Sequence, residues 1–158
     1  MRSPREQAQQ ALSLTRVDIR KQEKQGFRKA IEHTQNLVAQ VSLKAPRTFV
    51  SLAPPRLNAA GKRMRILAVD CGIKANIIRY FMDKGVEVLL VPHDYDFTNE
   101  SYDGLFVSNG PGDPSRCATT IGHLRTALTK KVPIFGICLG NQLIALAAGC
   151  KTFKMKYG

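Results

Sequence analysis

From Met64 onward, apolar and polar positions alternate in blocks of two kinds. "RILAVD" (65–70) is a short apolar run closed by a turn signal, which predicts a buried strand. "IKANIIRYFMDKG" (73–85) puts Ile73, Ile77, Tyr80, Phe81 and Met82 on one helical face, with Gly85 as the stop. "VEVLLVP" (86–92) and "GLFVSN" (104–109) predict two further strands, and "NGPGDP" (109–114) has the composition of a tight loop. "TTIGHLRTALTKK" (119–131) predicts a helix, "PIFGI" (133–137) a strand, and "LGNQLIALAAG" (139–149) a helix closed by Gly149. "CKTFKM" (150–155) predicts the start of another strand. Continuous apolar strands alternating with helices point to an α/β fold: an open, mostly parallel sheet with helices on both faces. In such sheets ligands sit at the carboxyl ends of the strands, where both "NGPGDP" and the turn at Cys138 fall.

The pattern before residue 61 is different. "REQAQQALSLTRVDIRKQEKQGFRKAIEHTQNLVAQV" is polar, with apolar residues at loose helical spacing and too few of them for a core of its own. "KAPRTFVSLAPPRLNAAGKR" is punctuated by Pro46, Pro54, Pro55 and Gly61 and reads as an extended linker. The expected organisation is a basic segment at 1–36, a linker at 37–63 and an α/β domain from 64 to 158.

Charge changes the picture less than its size suggests. The net charge is +12 over 158 residues. Residues 1–65 hold 14 Lys and Arg against 4 Asp and Glu, whereas residues 66–158 hold 10 against 8. The excess is confined to the N-terminal part and lacks the interleaved aromatics that stack bases, so no nucleic-acid partner is expected. No apolar run approaches the ~20 residues that span a bilayer, and no membrane partner is expected. The basic, acid-poor opening weakly resembles a mitochondrial transit segment, but reads first as a solvated basic tail. Without a secretory signal, Cys71, Cys117, Cys138 and Cys150 are expected as reduced thiols in the cytoplasm. None has zinc-ligand spacing, so no metal is expected.

Residues 136–140 read Gly-x-Cys-x-Gly, the cysteine counterpart of the Gly-x-Ser-x-Gly nucleophile elbow. In such an elbow a strained strand-to-helix turn lifts the nucleophile above the sheet. Gly136 and Gly140 would remove side chains where strand and helix pass closely. At the head of a helix, backbone N–H groups and the dipole would favour negative charge on the Cys138 sulfur. The bland alternative is an inert buried thiol. The two glycines of "SNGPGDP" would let backbone N–H groups approach a ligand and hold an oxyanion, with the Leu139 N–H as the other donor; a plain turn is the alternative there. Gln142, one turn into the helix, could bond a substrate amide or simply face water.

"GLFVSNGPGDP" followed by "PIFGICLGNQLIALAAG" and "KTFKMKYG" resembles the class I glutamine amidotransferases, and within them the glutaminase domain of glutamine-dependent carbamoyl-phosphate synthase. "ILAVDCGIKANIIRYF", "VEVLLVPHDYDF" and "NLVAQVSLKAPR" fit the same family, with a flavour closest to the multifunctional pyrimidine-pathway forms. The resemblance implies a flavodoxin-like sheet and a glutaminase in which Cys138 attacks the glutamine side-chain amide to form a thioester. Gly112 and Leu139 would supply the oxyanion N–H groups, and Gly110, Gly112, Leu139 and Gln142 would line the glutamine pocket. It implies no cofactor for this step; ATP, magnesium and bicarbonate belong to a partner synthetase subunit or domain that receives the ammonia.

The sequence also departs from that pattern. His33, His93 and His123 do not sit where a partner for Cys138 is expected. In the resembled family the catalytic His and its acidic partner come after the position of "KMKYG". The sequence is therefore expected to be a fragment bearing the nucleophile half, inactive alone, with a sheet edge left open by the missing C-terminal part. Asn141 stands where His is common, and Cys150 where a small residue is usual. The alternatives are a glutaminase serving anthranilate, GMP or CTP synthesis, or a non-catalytic fragment that binds a synthetase.

Overall fold

The computed structural model describes residues 35–153. Residues 1–34, with His33, and residues 154–158 lie outside the described part. Five strands form one sheet: β1 (Arg47–Phe49), β2 (Arg65–Asp70), β3 (Glu87–Pro92), β4 (Gly104–Val107) and β5 (Ile134–Gly136). Among the described residues four α-helices accompany them, α1 (Leu37–Val41), α2 (Ala75–Asp83), α3 (Ala118–Leu128) and α4 (Leu139–Ala147), with a single 3₁₀ turn at Pro114–Arg116. The strand order is β1-β3-β2-β4-β5. β2 to β5 run parallel, and β1 pairs antiparallel with β3. The four parallel strands, taken alone, follow the flavodoxin-like order, which reverses between β2 and β4.

Alternation along the strands divides the core in two. Leu67, Val69, Leu89, Val91, Leu105 and Val107 face α3 and α4, meeting Leu124, Leu139 and Leu143. Ala68, Val88, Leu90 and Phe106 face the other way, onto Ile73, Ile77, Ile78 and Phe81 around α2. Both faces are thus covered, which is why the central parallel strands run apolar from Ile66 to Val69 and from Val88 to Val91, with charged residues only at their ends. On α2, Ile78 takes the place expected for Tyr80, whose side chain is exposed and lies under the Lys84 ammonium. Residues 77, 78 and 81 make a contiguous i, i+1, i+4 stripe, and Tyr80 falls just outside it.

The segment expected as an extended linker holds more structure than that. It contains α1, β1 and a bridge between Leu57 and Arg63, and it belongs to the same compact unit as the sheet. Pro46 directly precedes β1, a placement an edge strand tolerates because it needs only one hydrogen-bonded neighbour.

At the opposite edge, β5 pairs only with β4 among the described residues. Phe135 is 65% exposed there and stacks on Phe106 at 6.3 Å. Residues 150–153 form no strand, contrary to the expectation for that stretch. α4 instead ends in a C-terminal cap, with Gly149 at φ +89° and the Gly149 and Cys150 N–H groups returned to the Leu146 and Ala145 carbonyls.

Candidate active site

The parallel strands deliver three turns to the same end of the sheet: Cys71–Gly72 after β2, Ser108–Gly112 after β4, and Ile137–Cys138 after β5. The last is the sharpest. Ile137 N–H still donates to the Val107 carbonyl, continuing the ladder, and two residues later the chain is already helical. Cys138 makes the transition at φ 53°, ψ −111°, and it is the only non-glycine at positive φ among the described residues. That conformation costs on the order of 1–3 kcal/mol, stored where the side chain is presented to solvent. Cys138 is exposed.

The neighbouring glycines make this path sterically open. A methyl at Gly136 would stand 2.6 Å from the Asn141 nitrogen, and one at Gly140 would stand 2.1 Å from the Val107 carbonyl oxygen. The first turn of α4 therefore lies directly on the ends of β4 and β5. Leu139 turns its side chain into the core, while its N–H occupies the first position of α4, one of the amides a helix leaves without an internal acceptor. Gln142 sits in the same turn and is exposed.

The Ser108–Gly112 loop closes over this turn. A methyl at Gly110 would meet the Cys71 carbonyl oxygen at 2.1 Å and Leu139 Cδ2 at 2.8 Å, so the loop is wedged between the β2 turn and the head of α4. Gly112 is exposed, at φ +87°. The structure thus brings Gly110, Gly136, Cys138, Leu139, Gly140 and Gln142 together, with Gly112 two residues further along the Gly110 loop.

Three polar residues that were not singled out from the sequence hold this arrangement. Asp70, buried at the end of β2, accepts from Gly72 N–H (2.9 Å), Ile73 N–H (2.8 Å) and Leu43 N–H (2.8 Å). Ser108 is fully buried; its Oγ accepts from Cys71 N–H and donates to the Asn109 carbonyl, both at 2.9 Å. Asn109 Nδ2 donates to the Gly72 carbonyl at 3.0 Å. The only hint in the sequence was that each follows an apolar strand, a position open to many uses.

Neither described histidine reaches Cys138. His93 follows β3, separated from β5 by β2 and β4, which sets the two strands about 14 Å apart at roughly 4.8 Å per strand. His123, on α3, lies against Asp96 (3.6 Å between Nδ1 and Oδ1) and the edge of Phe97.

The four thiols fall into two kinds. Cys138 and Cys150 are exposed, whereas Cys71 and Cys117 are buried. Burial, with the Asp113 charge adding, pushes the Cys117 thiol up to about 11; burial pushes Cys71 up as well, helped by Cys117 and Asp70. Both are neutral thiols at pH 7. In the unfolded chain they ionise near their ordinary value of 9.0, so between there and about 11 the folded state holds more protons than the unfolded one. Stability is therefore expected to be intact below pH 8.5 and to fall as pH rises from 9 to 11. Thermal melts across that range should show a midpoint lowered by several degrees, and a Cys117→Ala chain should show a shallower decline.

The profile of the glutamine amidotransferase class-I family matches residues 67–158, which include the β4 loop, the elbow and α4. The chain belongs to the class I glutamine amidotransferases. Over 126 residues, 78% of its length, the amidotransferase is 53% identical to the multifunctional protein pyr-3 of Neurospora crassa. It is 51% identical over 128 residues to the multifunctional protein ura1 of Schizosaccharomyces pombe. It is 46% identical over 127 residues to the carbamoyl phosphate synthase arginine-specific small chain of Candida albicans. It spans 7%, 6% and 28% of these three relatives respectively, so each is much the longer protein.

Proposed function

We propose that the chain carries the nucleophile half of the glutaminase of a carbamoyl-phosphate synthase. The observation that carries this reading is the exposed, strained Cys138 at the head of α4, with the Gly110 loop packed on Leu139 beside it. In the proposed reaction the Cys138 sulfur attacks the γ-carbonyl carbon of glutamine. The tetrahedral oxygen accepts from the Gly112 and Leu139 N–H groups. The C–N bond then breaks, and the nitrogen leaves as ammonia with the proton that began on the thiol. Water cleaves the resulting thioester to glutamate and restores the thiol. Gly110, Gly112, Leu139 and Gln142 line the pocket. The ammonia serves a synthetase subunit or domain that uses ATP, magnesium and bicarbonate, in pyrimidine or arginine synthesis, in the cytoplasm. The name of the Candida albicans relative, a carbamoyl phosphate synthase small chain, supports the synthetase over the anthranilate, GMP and CTP alternatives.

The proton transfers need a base at Cys138, and the described residues offer none. We therefore expect the 158-residue chain to bind glutamine at Cys138 without sustained ammonia release. A non-catalytic, synthetase-binding role is the second reading, favoured by the same lack of a base among the described residues. Alkylation of Cys138 by iodoacetamide, followed by peptide mass, separates the two. Millimolar L-glutamine should slow alkylation of Cys138 at least fivefold, while D-glutamine should not, and Cys150 should react at the same rate throughout. Equal rates at Cys138 with and without L-glutamine would overturn the glutaminase reading.

A further inference from the structure

The segment that precedes the sheet is attached to the site at more points than a connection needs. α1 has only five residues, too short to be stable alone. It is held from outside. Asn36 Oδ1 accepts from Ala39 N–H at 3.1 Å, and Asn36 Nδ2 donates to the Arg116 carbonyl in the turn that follows the Gly112 loop (3.3 Å). Ser42 Oγ accepts from His93 N–H at the end of β3 (3.0 Å). Leu43 N–H donates to Asp70 at the end of β2. Val38 is buried in the core on the α3 and α4 face.

The side chains of this segment bear on the glycine turns of the site. A methyl at Gly112 would stand 3.4 Å from Leu37 Cβ, so Leu37 packs against the loop. A methyl at Gly72 would stand 3.2 Å from Val41 Cγ2 and 3.4 Å from Pro111 Cδ, so Val41, Gly72 and Pro111 form one contact. Asp70 joins the two systems: one oxygen holds the Gly72 turn on which the loop rests, the other holds the segment. A loop of Gly-Pro-Gly has few side chains with which to fix its own conformation.

We propose that residues 36–43 are a positioning strap for the Gly110–Gly112 loop, and that Asp70 keys the strap to the sheet. The strap touches neither the nucleophile nor the reacting carbonyl. It fixes where the Gly112 N–H points, and so acts on formation of the tetrahedral oxyanion rather than on access to Cys138. This rests on the glutaminase reading above.

The test compares two reactions at the same sulfur in the full chain. The γ-(4-nitrophenyl) ester of glutamate acylates Cys138 through a tetrahedral oxyanion. Sulfur bonds to the carbonyl carbon, the carbon–oxygen bond breaks, nitrophenolate leaves with the bonding electrons, and the thiol proton passes to buffer. Iodoacetamide alkylates the same sulfur by displacing iodide, with no oxyanion. Asp70→Asn is expected to slow the acylation burst about 10- to 100-fold, the scale of effect seen when an oxyanion donor is displaced. Leu37→Ala, a smaller change at a half-buried position, is expected to slow it severalfold and keeps the proposal testable if Asp70→Asn does not fold. In both, alkylation of Cys138 should stay within twofold of the parent. Acylation at the parental rate in the folded variants, or acylation and alkylation slowed equally, would overturn the strap. No burst in the parent chain would instead overturn the glutaminase reading.

Discussion

Gly140→Ala is expected to be among the most damaging single-methyl changes in the chain, destabilising it by about 3–5 kcal/mol. The added carbon would sit 2.1 Å from the Val107 carbonyl oxygen and 2.8 Å from that of Ser108. Both acceptors are backbone on a strand end, and Val107 and Ser108 are completely buried, so no side chain can swing aside. Relief requires α4 to lift from the sheet, which breaks the Ile137-to-Val107 ladder bond and opens the Leu139 and Leu143 packing. Against a total stability of about 5–15 kcal/mol this is a large share. Gly122→Ala, on the exposed side of α3 with nothing within 4 Å of the new methyl, is the control. It should stabilise by about 0.5–1 kcal/mol, the ordinary gain from alanine in a helix interior. Denaturant melts of both variants check the pair. Similar midpoints would mean that α4 does not lie against β4 as described.

Cys138→Gly should move stability and chemistry in opposite directions. The φ of 53° strains any residue with a Cβ by about 1–3 kcal/mol, and glycine escapes it at an entropic cost of about 0.5–1 kcal/mol. The side chain is exposed, so little packing is lost. The variant is expected to be about 1 kcal/mol more stable than the parent, raising the thermal midpoint by about 2–4 °C. It should also lose all acylation by an activated glutamyl ester. A structural cysteine would behave differently, because its removal would destabilise the chain. Retaining a strained residue whose replacement by glycine stabilises is what selection for a nucleophile leaves behind.

The sheet was readable because its strands are apolar runs bounded by turn residues, and the helices between them carry a clear 3.6-residue rhythm. "RILAVD" became β2 with the bounds its composition suggested, and the order of elements from residue 64 to 149 followed the pattern. α1 and β1 were not readable. Five and three residues are too few for periodicity to register, and what stabilises them is tertiary: an Asn36 cap, the His93 and Asp70 ties, and a sheet edge supplied by β3. The elbow stood out because a strand-to-helix turn with close packing demands glycine at fixed offsets, a demand on residue type. Asp70 and Ser108 did not, since their partners are backbone N–H and C=O groups that every residue has. For the same reason a strap that works through main-chain bonds leaves almost no mark in composition.

A glutaminase nucleophile at Cys138 must accept a γ-glutamyl group. The direct measurement is stopped-flow release of nitrophenolate from the γ-(4-nitrophenyl) ester of glutamate by the intact chain, with the product digested and weighed peptide by peptide. This leaving group needs no proton, so the reaction does not depend on a base beside Cys138, and the described residues offer none. The expected result is a burst of about one equivalent per chain, a γ-glutamyl group on the peptide that contains Cys138, and neither in Cys138→Gly. A burst that survives in Cys138→Gly, or a chain that alkylates readily at Cys138 yet never acquires the glutamyl group, would contradict it.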